Sequence, residues 1–305
     1  MANVIEVKNL TKDFGNHKGV FDLSFNIKKG EMVGFVGTNG SGKSTTIRLI
    51  IGFIEPTTGS SKVMGLDSWK ESSNFITKIG YVPGEISFPD LRTGTEFLKN
   101  QAEFLKLSDL STANRLIKVL QLDTRANLKR MSKGMKQKTA LVASLMADPE
   151  ILVLDEPTTG LDPLMRANFI DVLKKEHKKG KTILISSQSF EELEKTCDKV
   201  IFILNGNIIS IADMNEIRNR PEHDFKIEFF DYESYLSFKK LGYRIIRDQP
   251  KYNQVTIEIL REDINPLMKA LSQFKLKFIS EVKYTLESHF KKIARDEFKE
   301  EEIHV

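Results

Sequence analysis

The run Gly37-Thr38-Asn39-Gly40-Ser41-Gly42-Lys43-Ser44-Thr45 lies between an apolar, strand-like segment, Met32 to Val36, and a helix-like segment, Thr46 to Ile51. Glycines at 37, 40 and 42 let the backbone curl so that successive N–H groups point inward at an anion, and the following helix adds the positive end of its dipole. In such a phosphate-binding loop Lys43 reaches the β- and γ-phosphates of a nucleotide, Ser44 offers its hydroxyl to a magnesium ion, and Thr45 sits near the α-phosphate. A strand-to-helix turn alone has no need of Gly-Lys-Ser at that offset. The loop identifies a nucleotide site, not a reaction.

The reaction is narrowed by Ile151-Leu152-Val153-Leu154-Asp155-Glu156, which reads as a buried parallel strand ending in two carboxylates. In open α/β sheets ligands collect at the carboxyl ends of the strands. Asp155 is then the expected partner of magnesium from just outside its own ligands, and Glu156 the general base that orients an attacking water. Phosphoryl transfer asks little more of a base, because it depends mainly on positioning and charge stabilisation.

A third segment, Met131-Ser132-Lys133-Gly134-Met135 followed by Lys136-Gln137-Lys138, heads an apolar-periodic helix from Gln137 to Met146. Read alone, it is a helix start with Ser132 as its N-cap. With the loop and the strand carboxylates it resembles the signature of the ATP-binding-cassette (ABC) ATPases, usually written LSGGQ, whose serine and second glycine stand at 132 and 134. Asp155-Glu156-Pro157-Thr158-Thr159-Gly160-Leu161-Asp162-Pro163 closes the set in the family's order, so that the resemblance covers about the first 215 residues. It implies that Ser132 and Gly134 face the γ-phosphate of ATP held by a second chain, and that Thr159 to Asp162 cross the interface between the two. Phe14 matches the aromatic position on which the adenine ring stacks; a core phenylalanine near a strand end is the alternative.

Two positions depart from the family pattern. Gly84, after Pro83, stands where a glutamine usually touches magnesium; Glu85 is either a displaced oxygen ligand or a solvated loop carboxylate. Gln188, after the apolar run Thr182 to Ser187, replaces a histidine that contacts the γ-phosphate. An amide donates a hydrogen bond but cannot become cationic, so transition-state stabilisation should be weaker. With Glu156 present, the pattern implies a slow but competent ATPase.

The elements that must hold these residues can be read coarsely. Residues 1–220 are expected to form an ABC nucleotide-binding domain, with short antiparallel strands such as Ile5 to Val7 and Phe21 to Ile27, a RecA-like α/β core, and a helical subdomain at about 85–146 with helices near Thr95 to Leu105 and Thr112 to Leu120. Phe88, Pro89, Leu91 and Phe97 are candidate contacts for a membrane partner's helix in the groove beside Gly80 to Glu85, although such residues are more often core than interface. Pro221 marks a boundary. Residues 221–305 read as strand, helix, strand, strand, helix, strand, a small α+β ferredoxin-like domain with a closing helix from Leu286 to about Phe298 and an acidic run at Glu300 to Glu302. This part suggests dimerisation or regulation.

At 305 residues, with 40% hydrophobic and 29% charged side chains, the chain is long enough for two globular domains. No apolar stretch approaches the roughly 20 residues that span a bilayer, and the start carries no secretory signal. A net charge of +4 is too small to argue for nucleic acid, and Lys174 to Lys181 reads as the polar face and end of a helix. Cys197, the one cysteine, is expected to be a packed hydrophobe, and His17, His177, His223, His289 and His304 to be surface residues. Trp69 is left open as a packed or exposed ring. The resemblance implies a cytoplasmic ATPase subunit using ATP and Mg2+, peripheral on the inner face of the membrane, paired with a second ATPase subunit as a homodimer or heterodimer and with a membrane-spanning subunit of exporter type for drugs, peptides or lipids. A nucleotide-dependent regulatory subunit with little turnover, or a non-transport ABC protein, remain as alternatives.

Overall fold

The computed structural model describes residues 2–293, and in its first compact unit, which runs to Met214, the sequence alternates strands and helices in two groups. The antiparallel group comprises β1 (Asn3–Asp13) and β2 (Gly19–Lys28), later joined by β4 (Thr58–Val63) and β5 (Leu66–Asp67) in the order β2-β1-β4-β5. Between them come β3 (Met32–Val36) and α1 (Lys43–Ile50). The chain continues through β6 (Ile79–Val82), α2 (Gly94–Phe104), α3 (Ser111–Val119), α4 (Lys133–Leu145), β7 (Ile151–Asp155), α5 (Pro163–Lys178), β8 (Thr182–Ser187), α6 (Phe190–Thr196), β9 (Lys199–Leu204) and β10 (Asn207–Asp213).

The second sheet has the order β10-β9-β3-β8-β7-β6, with every pair parallel except β9 and β10. Its central strands are unbroken buried runs, as a sheet covered on both faces requires, whereas β2 alternates buried and exposed positions. Gly34 lets α6 pack on β3: a Cβ there would lie 2.9 Å from Leu193 and 3.0 Å from the Cys197 sulfur. Phe25 of the antiparallel sheet meets Phe35 of the parallel one edge-on at 5.3 Å, within a core that also holds Ile5, Val7, Ile47 and Leu184. Each such large apolar side chain contributes about 1.5–3 kcal/mol on burial.

Strand order decides where the chemistry converges. Because β8 lies between β3 and β7, the loops leaving all three emerge side by side. Val36 is level with Ser187, and Asp155 with Ser186.

The second compact unit is Asn215–Val305, the division falling within α7 (Met214–Arg218), ahead of Pro221. It contains β11 (Glu222–Phe229), α8 (Tyr232–Lys239), β12 (Arg244–Gln249), β13 (Gln254–Leu260), α9 (Ile264–Leu271) and β14 (Leu276–Val282). The strands form one antiparallel sheet, β12-β13-β11-β14, whose core includes Phe225, Ile227, Tyr235, Phe238, Ile257 and Leu267. Residues 286–293 are helical; the rest of the closing helix expected to Phe298, and the acidic run at Glu300 to Glu302, lie outside the described residues.

Several expectations need correction. Lys174 to Lys181 is not all the polar face and end of a helix: α5 stops at Lys178, and Lys181 beyond it is 8% exposed, between Glu176, 3.1 Å away, and Asp148. Nor are the histidines uniformly on the surface. His177 is within 3.0 Å of both the Gly30 carbonyl and Asp198, His223 pairs with Glu281, and a half-buried His289 pairs with the Tyr284 hydroxyl. His304 lies outside the described residues. Phe97 belongs to the core, where it is met edge-on by Phe88 at 4.7 Å. Trp69 is exposed, and Cys197 is buried at the end of α6. No helix among the described residues is long and apolar enough to cross a membrane.

Candidate functional site

The loop after β3 bends only because its glycines allow it. Gly40 and Gly42 take φ of 79° and 108°, and a Cβ on Gly37 would fall 2.2 Å from the Ile203 carbonyl oxygen. Helix α1 begins at Lys43, three residues before the helix expected from the apolar pattern. The basic and hydroxyl residues of the loop thus belong to the first helical turn, where backbone N–H groups have no intrahelical partner. Lys43 is 5% exposed and donates from Nζ to the Gly37 and Thr38 carbonyls at 2.9 and 3.0 Å. Burial pushes its ammonium below the ordinary lysine value, against the pull of Glu156 and Asp155.

This loop forms one wall of a pocket of about 830 Å³ that also includes Phe14, His17, Lys18, Glu156, Asn205 and Asn207. Phe14 is 57% exposed, with the Lys12 ammonium 5.6 Å above its ring, so it is not a core residue and is free to stack. Asn205, Asn207 and His17 were not anticipated. The Asn205-Gly206 pair between two apolar runs was the available signal of a hairpin, and this hairpin braces the loop: Gly206 N–H donates to the Ser41 carbonyl at 3.0 Å.

Asp155 is 1% exposed. One carboxylate oxygen accepts a 2.5 Å hydrogen bond from Ser186 Oγ, while Oδ2, equally buried, has no hydrogen-bond partner among the described residues. Gly84 faces that oxygen; a Cβ there would be 3.0 Å from it. A hard oxygen lacking a donor, close to the loop that carries the Ser44 hydroxyl, fits magnesium, which takes oxygen ligands and retains waters. Among the described residues no cluster of three His, Cys, Asp or Glu could cage a metal, so phosphate and water would complete its shell. Glu85 is exposed, which favours the solvated reading.

Glu156 takes φ of 48°, a conformation costing a non-glycine residue of order 1–3 kcal/mol. Its N–H donates to Ser186 Oγ at 2.9 Å, and its carboxylate accepts from Gln188 Nε2 at 2.8 Å and Thr159 Oγ1 at 3.2 Å. The amide at 188, expected to face a γ-phosphate, is here turned to the carboxylate. Ser186, which touches both acidic residues, carried no signal in the sequence beyond its place in a strand.

Ser132 caps α4 as expected, accepting from Met135 N–H at 3.2 Å. Neither Ser132 nor Gly134 lines the pocket that holds the loop. Gly134 instead lies against Gly160, where a Cβ would sit 2.6 Å from the carbonyl oxygen, and Gln137 Nε2 donates to the Pro157 carbonyl at 2.9 Å. Asp162 caps α5 by accepting from Met165 N–H. A separate groove of about 250 Å³ lies between the Gly80 to Phe88 stretch and α2 and α4, with Phe88 and Phe97 among its walls; Pro89 is exposed beside it.

A family model described as "ABC transporter" matches residues 20–159. The bacitracin transport ATP-binding protein BcrA of Bacillus licheniformis is 31% identical over 85% of this chain and 90% of its own length. The linearmycin resistance ATP-binding protein LnrL of Bacillus subtilis is 34% identical over 74% of each chain. Among solved structures, an ATP-binding subunit of an ABC transporter aligns with 29% identity and a TM-score of 0.64, covering 71% of this chain and 92% of that one.

Proposed function

The chain belongs to the ABC transporter family as an ATP-binding, ATP-hydrolysing subunit, and we propose that it drives a separate membrane-spanning exporter of a drug, peptide or lipid. The relatives named for bacitracin transport and linearmycin resistance support the export of an antibiotic-like compound. In this reading the subunit works at the inner face of the membrane, where the groove beside Phe88 and Pro89 takes a helix of its partner.

The observation that carries the reading is the meeting of three loops at adjacent strand ends: the glycine loop after β3, Asp155-Glu156 closing β7, and Gln188 after β8. Residues 37–45 cradle the phosphates of ATP, Lys43 countering the β- and γ-phosphate charge, while Phe14 stacks on the base. Ser44 and Asp155 hold Mg2+, which when bound neutralises phosphate charge. Glu156, kept in place by Gln188 and Thr159, orients the attacking water. Ser132 and Gly134, which lie outside their own chain's pocket, serve the nucleotide of a second copy. The C-terminal unit acts in dimerisation or regulation.

Gln188 also favours a second reading, a regulatory subunit with little turnover, because its amide is engaged by the base and brings no positive charge. Turnover of ATP by the purified chain, with and without its co-expressed membrane partner, separates the two. The export reading expects Glu156→Gln to lose at least about a hundredfold in kcat while retaining ATP, and Gln188→His to gain severalfold. ATP bound without turnover in every preparation would leave the regulatory reading.

A further inference from the structure

Glu192 is 6% exposed in the first turn of α6, yet no role in nucleotide chemistry accounts for its burial. A buried carboxylate persists only with partners, and these are distributed over three elements. Oε2 accepts from Thr158 Oγ1 at 3.0 Å, in the loop after β7, and from Ser187 Oγ at 2.8 Å, at the end of β8. Oε1 lies 3.3 Å from Arg166 Nε of α5. Ser187 Oγ also receives the Ser189 N–H, which fixes the turn presenting Gln188.

We propose that Glu192 is a positioning residue that locks the Gln188 turn to the 157–160 loop, so that the two shift together when nucleotide binds. The inference rests on the ATPase reading above. The geometry is a closed chain of contacts. Gln188 and Thr159 hold the Glu156 carboxylate from either side, and Glu192 ties the residues adjoining both, Ser187 and Thr158. The same 157–160 loop touches the start of α4, through Gln137 on the Pro157 carbonyl and Gly134 against Gly160. A displacement at Gln188 is therefore passed through Glu192 to the loop that supports Ser132 and Gly134. Without it, the amide and the hydroxyl that aim Glu156 move independently, and the base loses its alignment while the phosphate loop is left intact.

The test is steady-state ATP hydrolysis by the full chain in Glu192→Gln and Thr158→Val, with nucleotide affinity and thermal unfolding measured on the same preparations. Misaligning the base should lower kcat by about tenfold to a hundredfold in Glu192→Gln, with KM for ATP within about twofold. Thr158→Val, which removes one donor from a buried site of nearly unchanged volume, should lower kcat by about threefold. Adding Gln188→Ala to Glu192→Gln should cost little beyond the slower single variant, since both act on one carboxylate. The proposal is overturned if folded, nucleotide-binding Glu192→Gln and Thr158→Val turn over like the wild type, if KM rises in step with the loss, or if the Gln188 and Glu192 effects multiply. Absence of turnover in the wild type would instead remove the ATPase reading, and this inference with it.

Discussion

Asp155 and Glu156 are neighbours with opposite constraints. Asp155 keeps a buried oxygen without a hydrogen-bond donor among the described residues, and Glu156 is forced into a left-handed backbone so that its carboxylate meets donors on both sides. Strain and an unsatisfied buried oxygen are each destabilising, and their presence at adjacent positions marks where stability is given up for chemistry. Asp155→Asn replaces the carboxylate proposed to help hold magnesium with a neutral amide while preserving the Ser186 contact. We expect the magnesium concentration for half-maximal turnover to rise by about tenfold or more. Metal-free binding of the nucleotide, measured beside it, should change far less. An unchanged magnesium requirement would place the ion elsewhere.

At the scale of elements, the loops at the strand ends need a rigid sheet behind them, and the far end of that sheet is held by charge as well as by packing. Glu176, at the end of α5, is 2% exposed and contacts Lys179, Lys181 and Arg115. Burial alone would raise its carboxyl, but hydrogen bonds from Lys179 and Lys181 outweigh it and hold the group below the ordinary glutamate value of 4.5. A depressed folded-state value means stabilisation that is fully present above the unfolded value and is lost as the pH falls through the folded one. Glu176→Gln should therefore cost about 2 kcal/mol in urea unfolding at pH 7, because the buried Lys181 keeps Asp148 as its one anionic partner, and the penalty should shrink as the pH falls below 4.5. A penalty independent of pH would assign the loss to packing instead.

At the scale of the molecule, much was legible in the sequence because its signals are local. The glycine loop, the buried strand with its two acids and the Ser132 cap are each contiguous, and their types and spacing name the elements. What was not legible is pairwise. No property of Gln188 alone says that it turns to Glu156, nothing in Lys174 to Lys181 distinguishes the buried Lys181 from its solvated neighbours, and the Asn205-Gly206 hairpin braces a loop some 160 residues earlier only through strand order. The two units have separate cores, so the chain cut after Met214 should fold and bind ATP within about threefold of the full protein by fluorescent-nucleotide titration. Failure to bind would tie the second unit to the nucleotide site. The central claim is that Ser132 and Gly134 complete the site of a second copy. Its most direct test is the mass in solution of the Glu156→Gln chain with magnesium and saturating ATP, compared with ADP. The account predicts a dimer with ATP, a monomer with ADP, and loss of the ATP dimer when Ser132→Arg is added. One mass in both nucleotides, with binding of each verified, would contradict it.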